Sequence, residues 1–258
     1  MLLAIDIGNT NTVLGLYRGE QLVDFLRIES RKSATADEYS ALIGTMLAQR
    51  SVRLEDISAA IIGSVVPSLT KVLTTVCQRW LDEPPLVVGP GIKTGMPVLY
   101  DNPKEVGADR IVNGVAAFER CKSACVVVDF GTATTFDVIS SEGAYLGGII
   151  APGVGIGADA LFQRAAKLPR VEVVRPRRVV GKSTVEAIQS GLVFGYVGLV
   201  EGLVSRISDE LGVKPRVIAT GGLARLLSEE TEAIDEVSEF LTLDGLRMVW
   251  LRNQPRRR

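Results

Sequence analysis

A short motif occurs twice in this chain. Ile5-Asp6-Ile7-Gly8-Asn9-Thr10-Asn11-Thr12 reappears as Val128-Asp129-Phe130-Gly131-Thr132-Ala133-Thr134-Thr135, with Asp6 and Asp129 lying 123 positions apart in a chain of 258. Each copy closes an apolar run, Leu2 to Ile5 and Cys125 to Val128, of the kind that forms a strand buried on both faces. Each is followed by a second alternating run (Val13 to Tyr17; Phe136 to Ile139), a Gly-containing turn, and a third run (Leu22 to Ile28; Ala144 to Ile150). The chain therefore uses one three-stranded unit twice, with a carboxylate where each first strand ends.

The turn chemistry suits phosphate. Gly8 and Gly131 let the backbone turn sharply and bring its amides close to an anion. The hydroxyls of Thr10, Thr12, Thr132, Thr134 and Thr135 are possible donors to phosphate oxygens, and Asp6 and Asp129 suit a cation or its water shell. One Asp-x-Gly turn followed by threonines would mean little; two in the same strand-turn-strand context mark a phosphate site. Gly181-Lys182-Ser183-Thr184 is a decoy, because a P-loop needs Gly where Pro176 stands.

Composition narrows the chemistry. With 47% hydrophobic and 23% charged residues the chain builds a sizeable core, and a net charge of −1 gives no global attraction to nucleic acid. Its basic runs are Arg175 to Arg178 and the tail Pro255 to Arg258, the latter expected as a solvated terminus. Histidine is absent, so acid and base work falls to carboxylates, Lys or Tyr. Cys77, Cys121 and Cys125 are an odd, unpatterned set, expected as free thiols in a reducing compartment. The charge-free stretches Gly143 to Ala158 and Ala187 to Val200 are too short or too broken by Gly and Pro to span a bilayer, and with a strand opening at Leu2 no secretory signal is expected. A cytoplasmic protein without membrane or nucleic-acid partners is expected.

Thr35 and Glu38 form a capping box ahead of Tyr39, Leu42, Ile43, Met46 and Leu47 at helical spacing. A buried strand at Ala59 to Val65 has its counterpart at Val217 to Ala219, and helices follow at Leu69 to Trp80 and Leu223 to Leu227. Closing strands are expected at Leu86 to Val88 and Phe240 to Leu243. Ile149 to Gly157 reads as a loop feeding a helix over Ala158 to Ala166, and Ser183 with Glu186 caps a long helix. The expected architecture is α/β, with halves 1–118 and 119–258, each a mixed five-stranded sheet flanked by helices, and a cleft between them. Asp109 and Asn113 share one face of a helix with Arg110 on its flank. A carboxylate to accept an alcohol proton and a guanidinium to bind a carboxylate are what a small hydroxy acid would need. The residues by themselves point to an ATP-dependent small-molecule kinase.

The paired turns and Thr220-Gly221-Gly222-Leu223 resemble the superfamily of actin, sugar kinases and heat-shock chaperone ATPases, with duplicated ribonuclease H-like domains. Within it the chain resembles the type III pantothenate kinases over nearly its whole length. The resemblance is carried by Asp6 to Thr12, Ser64-Val65-Val66-Pro67, Tyr100-Asp101-Asn102-Pro103, Gly107 to Asn113, Asp129 to Thr135, Gly148 to Gly153 and Gly181 to Gly191. It implies transfer of phosphate from ATP with Mg²⁺ to pantothenate, the first step of coenzyme A synthesis. Asp109 matches the catalytic base. Asp6, Ile7, Gly8, Asn9, Thr10, Asn11, Thr12, Val13 and Thr132 match the ATP turns, and Asp129 matches the ligand of an activating K⁺ or NH₄⁺. Tyr100, Gly107, Ala108, Asp109, Arg110 and Thr184 match pantothenate contacts, Thr184 reaching across a homodimer interface. Ser183 stands where the family usually has Asn. The stripe Leu192, Val193, Tyr196, Leu199 and Val200 suits a core or a subunit interface, and the resemblance implies the interface. Two other readings are a catalytically idle relative acting as a transcriptional accessory factor and an actin-like polymer. A further one is an ATPase of this fold acting on another small hydroxy substrate.

Overall fold

The computed structural model describes residues 1–255, so Arg256 to Arg258 of the basic tail lie outside the described residues. The chain forms two compact units, one of Met1–Met96, Asp101–Ala116 and Thr242–Arg258, the other of Pro97–Tyr100 and Ala117–Leu241.

In the first unit, β1 (Leu2–Ile7), β2 (Asn11–Arg18), β3 (Gln21–Glu29), β4 (Ala59–Ser64) and β5 (Leu86–Val87) form a sheet of order β3-β2-β1-β4-β5. β1 runs antiparallel to β2 and parallel to β4. One face carries Leu3, Ile5, Ile7, Leu14 and Leu16, which pack against α1 (Ala36–Gln49) and α2 (Pro67–Trp80) through Tyr39, Ile43, Leu47, Leu69, Leu73 and Val76. The Thr35/Glu38 capping box that starts α1 is formed. α3 (Ala108–Cys121) and α7 (Leu241–Arg252) also belong largely to this unit. Gly15 and Gly63 leave room for Leu243 and Leu246 of α7, and Gly245 lets α7 approach α3 so closely that a Cβ would lie 2.0 Å from the Val112 carbonyl oxygen.

The second unit repeats the order: β10 (Glu236–Val237), β9 (Arg216–Gly221), β6 (Cys125–Phe130), β7 (Ala133–Ile139), β8 (Tyr145–Pro152). Val126, Val128, Phe136 and Val138 pack against α4 (Val154–Arg164), α5 (Thr184–Leu211) and α6 (Ala224–Ser228). Three expectations change here. The fifth strand is Glu236–Val237, paired with Ile218 and Ala219, and not Phe240 to Leu243. Leu241, Leu246 and Val249 are buried at helical spacing on α7, so that apolar run is a helix start. β8 continues to Pro152, which pairs with Ala133, and α4 begins at Val154 despite Gly155 and Gly157. Glycines inside a short helix are what made this stretch read as a loop.

α5 is 28 residues long and apolar enough to cross a membrane by length and composition, which the broken charge-free stretches did not suggest. Its Ile188, Leu192, Val193, Val197, Val200, Val204 and Ile207 are core of the second unit. The stripe read as an interface is thus mostly interior: Leu192, Val193 and Val200 are buried, and Tyr196 and Leu199 pack on the same cluster. The cysteines are free, with Cys77 and Cys125 buried and Cys121 half-buried. Burial pushes the Cys77 thiol up to about 12 and the Cys125 thiol well above its ordinary value, which makes both poor nucleophiles.

Candidate active site

The first turn follows from a strand that must end and reverse. Ile7 pairs with Thr12, leaving Gly8-Asn9-Thr10-Asn11 as the loop, and the Gly8 N–H donates to the Asn11 carbonyl at 3.0 Å. Asn9, Thr10 and Asn11 are exposed and Asp6 is half-buried at the strand end. Thr12 is fully buried, its hydroxyl 2.8 Å from that of Ser30, while the Ser30 N–H donates to the Thr10 carbonyl. The Thr12 hydroxyl therefore braces the loop from beneath, and Val13 continues β2.

The second turn is one residue shorter. Phe130 pairs with Thr134, leaving Gly131-Thr132-Ala133, and Gly131 N–H donates to the Ala133 carbonyl at 3.0 Å. Thr134, not Thr135, is the register counterpart of Thr12, and it is equally buried. Gly131 and Thr132 are exposed. Two glycines absent from the sequence-derived site complete the surroundings. A Cβ on Gly153, the residue capping α4, would lie 2.1 Å from the Thr132 carbonyl oxygen, so the start of α4 abuts this turn. Gly221, at φ +92°, lies against Asp129, where a Cβ would come within 2.6 Å of Oδ1. The second unit thus gathers an exposed turn, a helix start and a Gly-Gly turn around one carboxylate, a surface that suits an anion and its counterion. The signal that could have found Gly153 is its place after Pro152 at a strand-to-helix change.

Asp109 opens α3 in the first unit. Its Oδ1 accepts from the Arg110 N–H at 2.8 Å and folds back over Gly107, where a Cβ would meet that oxygen at 2.4 Å and Val65 Cγ1 at 3.3 Å. Val65 in turn donates its N–H to the Ile7 carbonyl at 3.1 Å. Asp109 is therefore tied through Gly107 and Val65 to the strand end that carries the first turn. Ser64 makes the chain turn there, its Oγ accepting from Val66 N–H and from Thr70 Oγ1, which gives the Ser64-Val65-Val66-Pro67 motif its physical role. Burial pushes the Asp109 carboxyl above its ordinary value, opposed by the Arg110 N–H and guanidinium. Arg110 and Asn113 are buried, 9% and 1% exposed, so this is no solvated helix surface. Gly107 and Ala108 are partly buried at the head of the same helix.

Tyr100 and Thr184 stand in the second unit. The Tyr100 ring lies 6.4 Å from that of Tyr145 and covers Gly147. Thr184 is exposed at the start of α5, after Ser183, whose hydroxyl accepts the Glu186 N–H at 3.2 Å. Ser183 caps the helix alone: the Glu186 carboxylate instead accepts from Lys182 N–H. Among the described residues no group of three or more His, Cys, Asp or Glu side chains is placed to hold a metal ion.

Two copies of one five-stranded sheet, each with an Asp-Gly turn at the end of its central strand, define the nucleotide-dependent ATPase fold of actin and the sugar kinases. Solved structures of that fold agree. A Campylobacter jejuni protein assigned to the Baf family of transcriptional activators superposes with TM-score 0.59 at 19% identity, covering 97% of this chain and 98% of its own. An Arthrobacter polyphosphate/ATP-glucomannokinase gives TM-score 0.50 at 16% identity, covering 98% and 99%. Such identities speak for the fold alone. The family model for type III pantothenate kinase matches residues 2–206. Type III pantothenate kinases of Myxococcus xanthus and Anaeromyxobacter dehalogenans are 53% and 56% identical, over 98% of this chain and 99% and 100% of theirs. The chain belongs to the type III pantothenate kinase family and is a kinase.

The contact between Gly153 and the second turn gives a direct check. Gly153 has φ −71°, which any residue adopts, so only the clash opposes a side chain. Gly153→Ala should cost about 1–3 kcal/mol, the range for overpacking, and raise KM for ATP. Denaturant unfolding and nucleotide titration measure the two effects.

Proposed function

We propose that the chain transfers the γ-phosphoryl group of ATP to the primary hydroxyl of pantothenate, giving 4′-phosphopantothenate and ADP, with Asp109 as general base. Family membership supports the reaction, and the observation that carries the mechanism is the tie of Asp109 to the first phosphate turn through Gly107 and Val65. As the acceptor oxygen bonds to the γ-phosphorus and the bond to the leaving β-phosphate oxygen breaks, Asp109 takes the hydroxyl proton. Arg110 and Tyr100 hold the acceptor, the guanidinium pairing with its carboxylate. The amides of the Gly8 to Asn11 turn, the Gly131-Thr132 turn and the α4 start take up phosphate charge. A loose phosphoryl transfer leaves the protein positioning and charge neutralisation as its main work. Mg²⁺ brought with ATP would screen the phosphate oxygens, with Asp6 and Asp129 reaching it through water. Asp129 would also hold the monovalent cation, K⁺ or NH₄⁺, which would offset phosphate charge there. Incubation with labelled ATP, Mg²⁺, K⁺ and pantothenate tests the reading, and absence of labelled 4′-phosphopantothenate refutes it.

The working form is a cytoplasmic homodimer with Thr184 completing the partner's acceptor site. Support for a subunit contact comes from the exposed side of α5, since its apolar stripe is core. Ala187, Gly191, Gly195 and Gly198 are exposed along one edge, and a Cβ on any of the three glycines would meet open space. A row of small residues at this spacing lets two helices approach closely. Gly195→Leu should leave the fold intact yet dissociate the dimer and lower activity, as read by light scattering alongside a kinase assay. A dimer of unchanged affinity would move the contact elsewhere.

A further inference from the structure

We infer that Asp137 and Tyr145 are positioning residues for the acceptor site, acting through Tyr100; this rests on the reading of Tyr100 as a pantothenate contact. Tyr145 is fully buried at the start of β8, and its hydroxyl donates to Asp137 Oδ1 at 2.8 Å. Asp137 is fully buried on β7. A buried carboxylate carries a desolvation cost that a purely structural anchor would avoid, because apolar groups of the same shape serve packing as well or better.

Strand pairing shows what the pair connects. Asp129 faces Thr135 and Val127 faces Asp137, so Asp129 and Asp137 lie on the same face of the sheet, two residues' rise or about 7 Å apart along the strands. That face is opposite the one built by Val126, Val128, Phe136 and Val138. At the other end, the Tyr145 N–H donates to the Pro97 carbonyl and its own carbonyl accepts from Leu99 N–H, both at 2.8 Å. A parallel bridge from Val98 to Tyr145 forms there. Segment 97–100 is thus paired to the sheet through Tyr145. The Tyr100 ring meets the Tyr145 ring at 6.4 Å and 58°, within the range of tilted aromatic contacts. Gly147, at φ +139°, lies under the Tyr100 ring, where a Cβ would sit 3.7 Å from Tyr100 Cε2 in ordinary contact. The buried Asp137 fixes the Tyr145 ring, the ring and backbone of Tyr145 fix Tyr100, and Tyr100 is held in register with the face that carries Asp129.

The test is a double-mutant cycle on the full chain. Tyr145→Phe keeps the ring and removes the hydroxyl; it should raise KM for pantothenate about tenfold, the change that 1.4 kcal/mol of lost alignment gives. KM for ATP should change much less. Asp137→Asn, whose amide oxygen still accepts from the phenol, should behave more mildly than Asp137→Ala. In a Tyr100→Ala background, Tyr145→Phe should add little. An equal rise in that background, a matching rise in KM for ATP, or no rise at all would overturn the proposal. Tyr100→Ala leaving KM for pantothenate unchanged would overturn the acceptor reading itself, and the inference with it, even though phosphorylation continued.

Discussion

Asp109→Asn is expected to lower kcat by about 10²- to 10⁴-fold while leaving ATP affinity nearly unchanged, the signature of losing a general base rather than a binding group. The side chain folds over Gly107 and accepts the Arg110 N–H, contacts an amide of the same shape partly keeps. Burial raises the Asp109 carboxyl, and this has two consequences. The base must be ionised to work, so the acidic limb of kcat/KM should lie above the ordinary carboxylate range. The native state also holds that proton more firmly than the unfolded chain. Its contribution to stability is therefore complete below the unfolded value and lost as pH rises through the raised folded one. At neutral pH the ionised, desolvated carboxylate is a burden, and the Asn variant should melt at or above the wild-type temperature. An inactive variant that is also less stable would point to misfolding rather than a lost base. Unchanged kcat would hand the role to another carboxylate, Asp101 first.

The second large effect concerns the monovalent cation. Asp6 and Asp129 end equivalent central strands of equivalent sheets, and a polyphosphate at either turn would meet a like charge unless cations intervene. Gly221 at φ +92° brings the Thr220-Gly221-Gly222 backbone against the Asp129 carboxylate, and a weakly hydrated ion accepts such backbone oxygens with little geometric demand. Rates at fixed ionic strength should fall sharply when sodium replaces potassium or ammonium. Asp129→Ala should remove that dependence and cost about 10²-fold or more, the scale for deleting one preorganised electrostatic group. Equal rates in sodium and potassium would leave Asp129 as a magnesium-water ligand only.

Local chemistry made the turns legible. An apolar run that meets Asp-x-Gly must end and reverse, and the duplicated order of five strands in each sheet followed from finding that unit twice. Caps were equally readable, as Thr35 and Ser183 show. Features set by distant packing were not. The run from Leu241 is apolar enough for strand or helix, and only Gly245 against Val112 and Leu246 against Gly63 explain why it is a helix of the first unit. The stripe on α5 has the same spacing whether it faces core or partner, and only its packing against the second sheet decides for core. A one-residue difference in loop length shifted the counterpart of Thr12 to Thr134, which motif alignment without strand register does not show. Val65 and Gly153 lie in segments that the resemblance picks out, but what they touch, Gly107 beside Asp109 and the second turn, shows only in the contacts.

The most direct test of the central claim follows phosphorus transfer from ATP in wild type and Asp109→Asn side by side, with Mg²⁺, K⁺ and pantothenate present. Wild type should convert ATP and pantothenate one for one into ADP and 4′-phosphopantothenate, while the variant binds ATP and forms the product at least about a hundredfold more slowly. ATP hydrolysed without phosphorylation of the acceptor, or equal product from both proteins, would contradict the account.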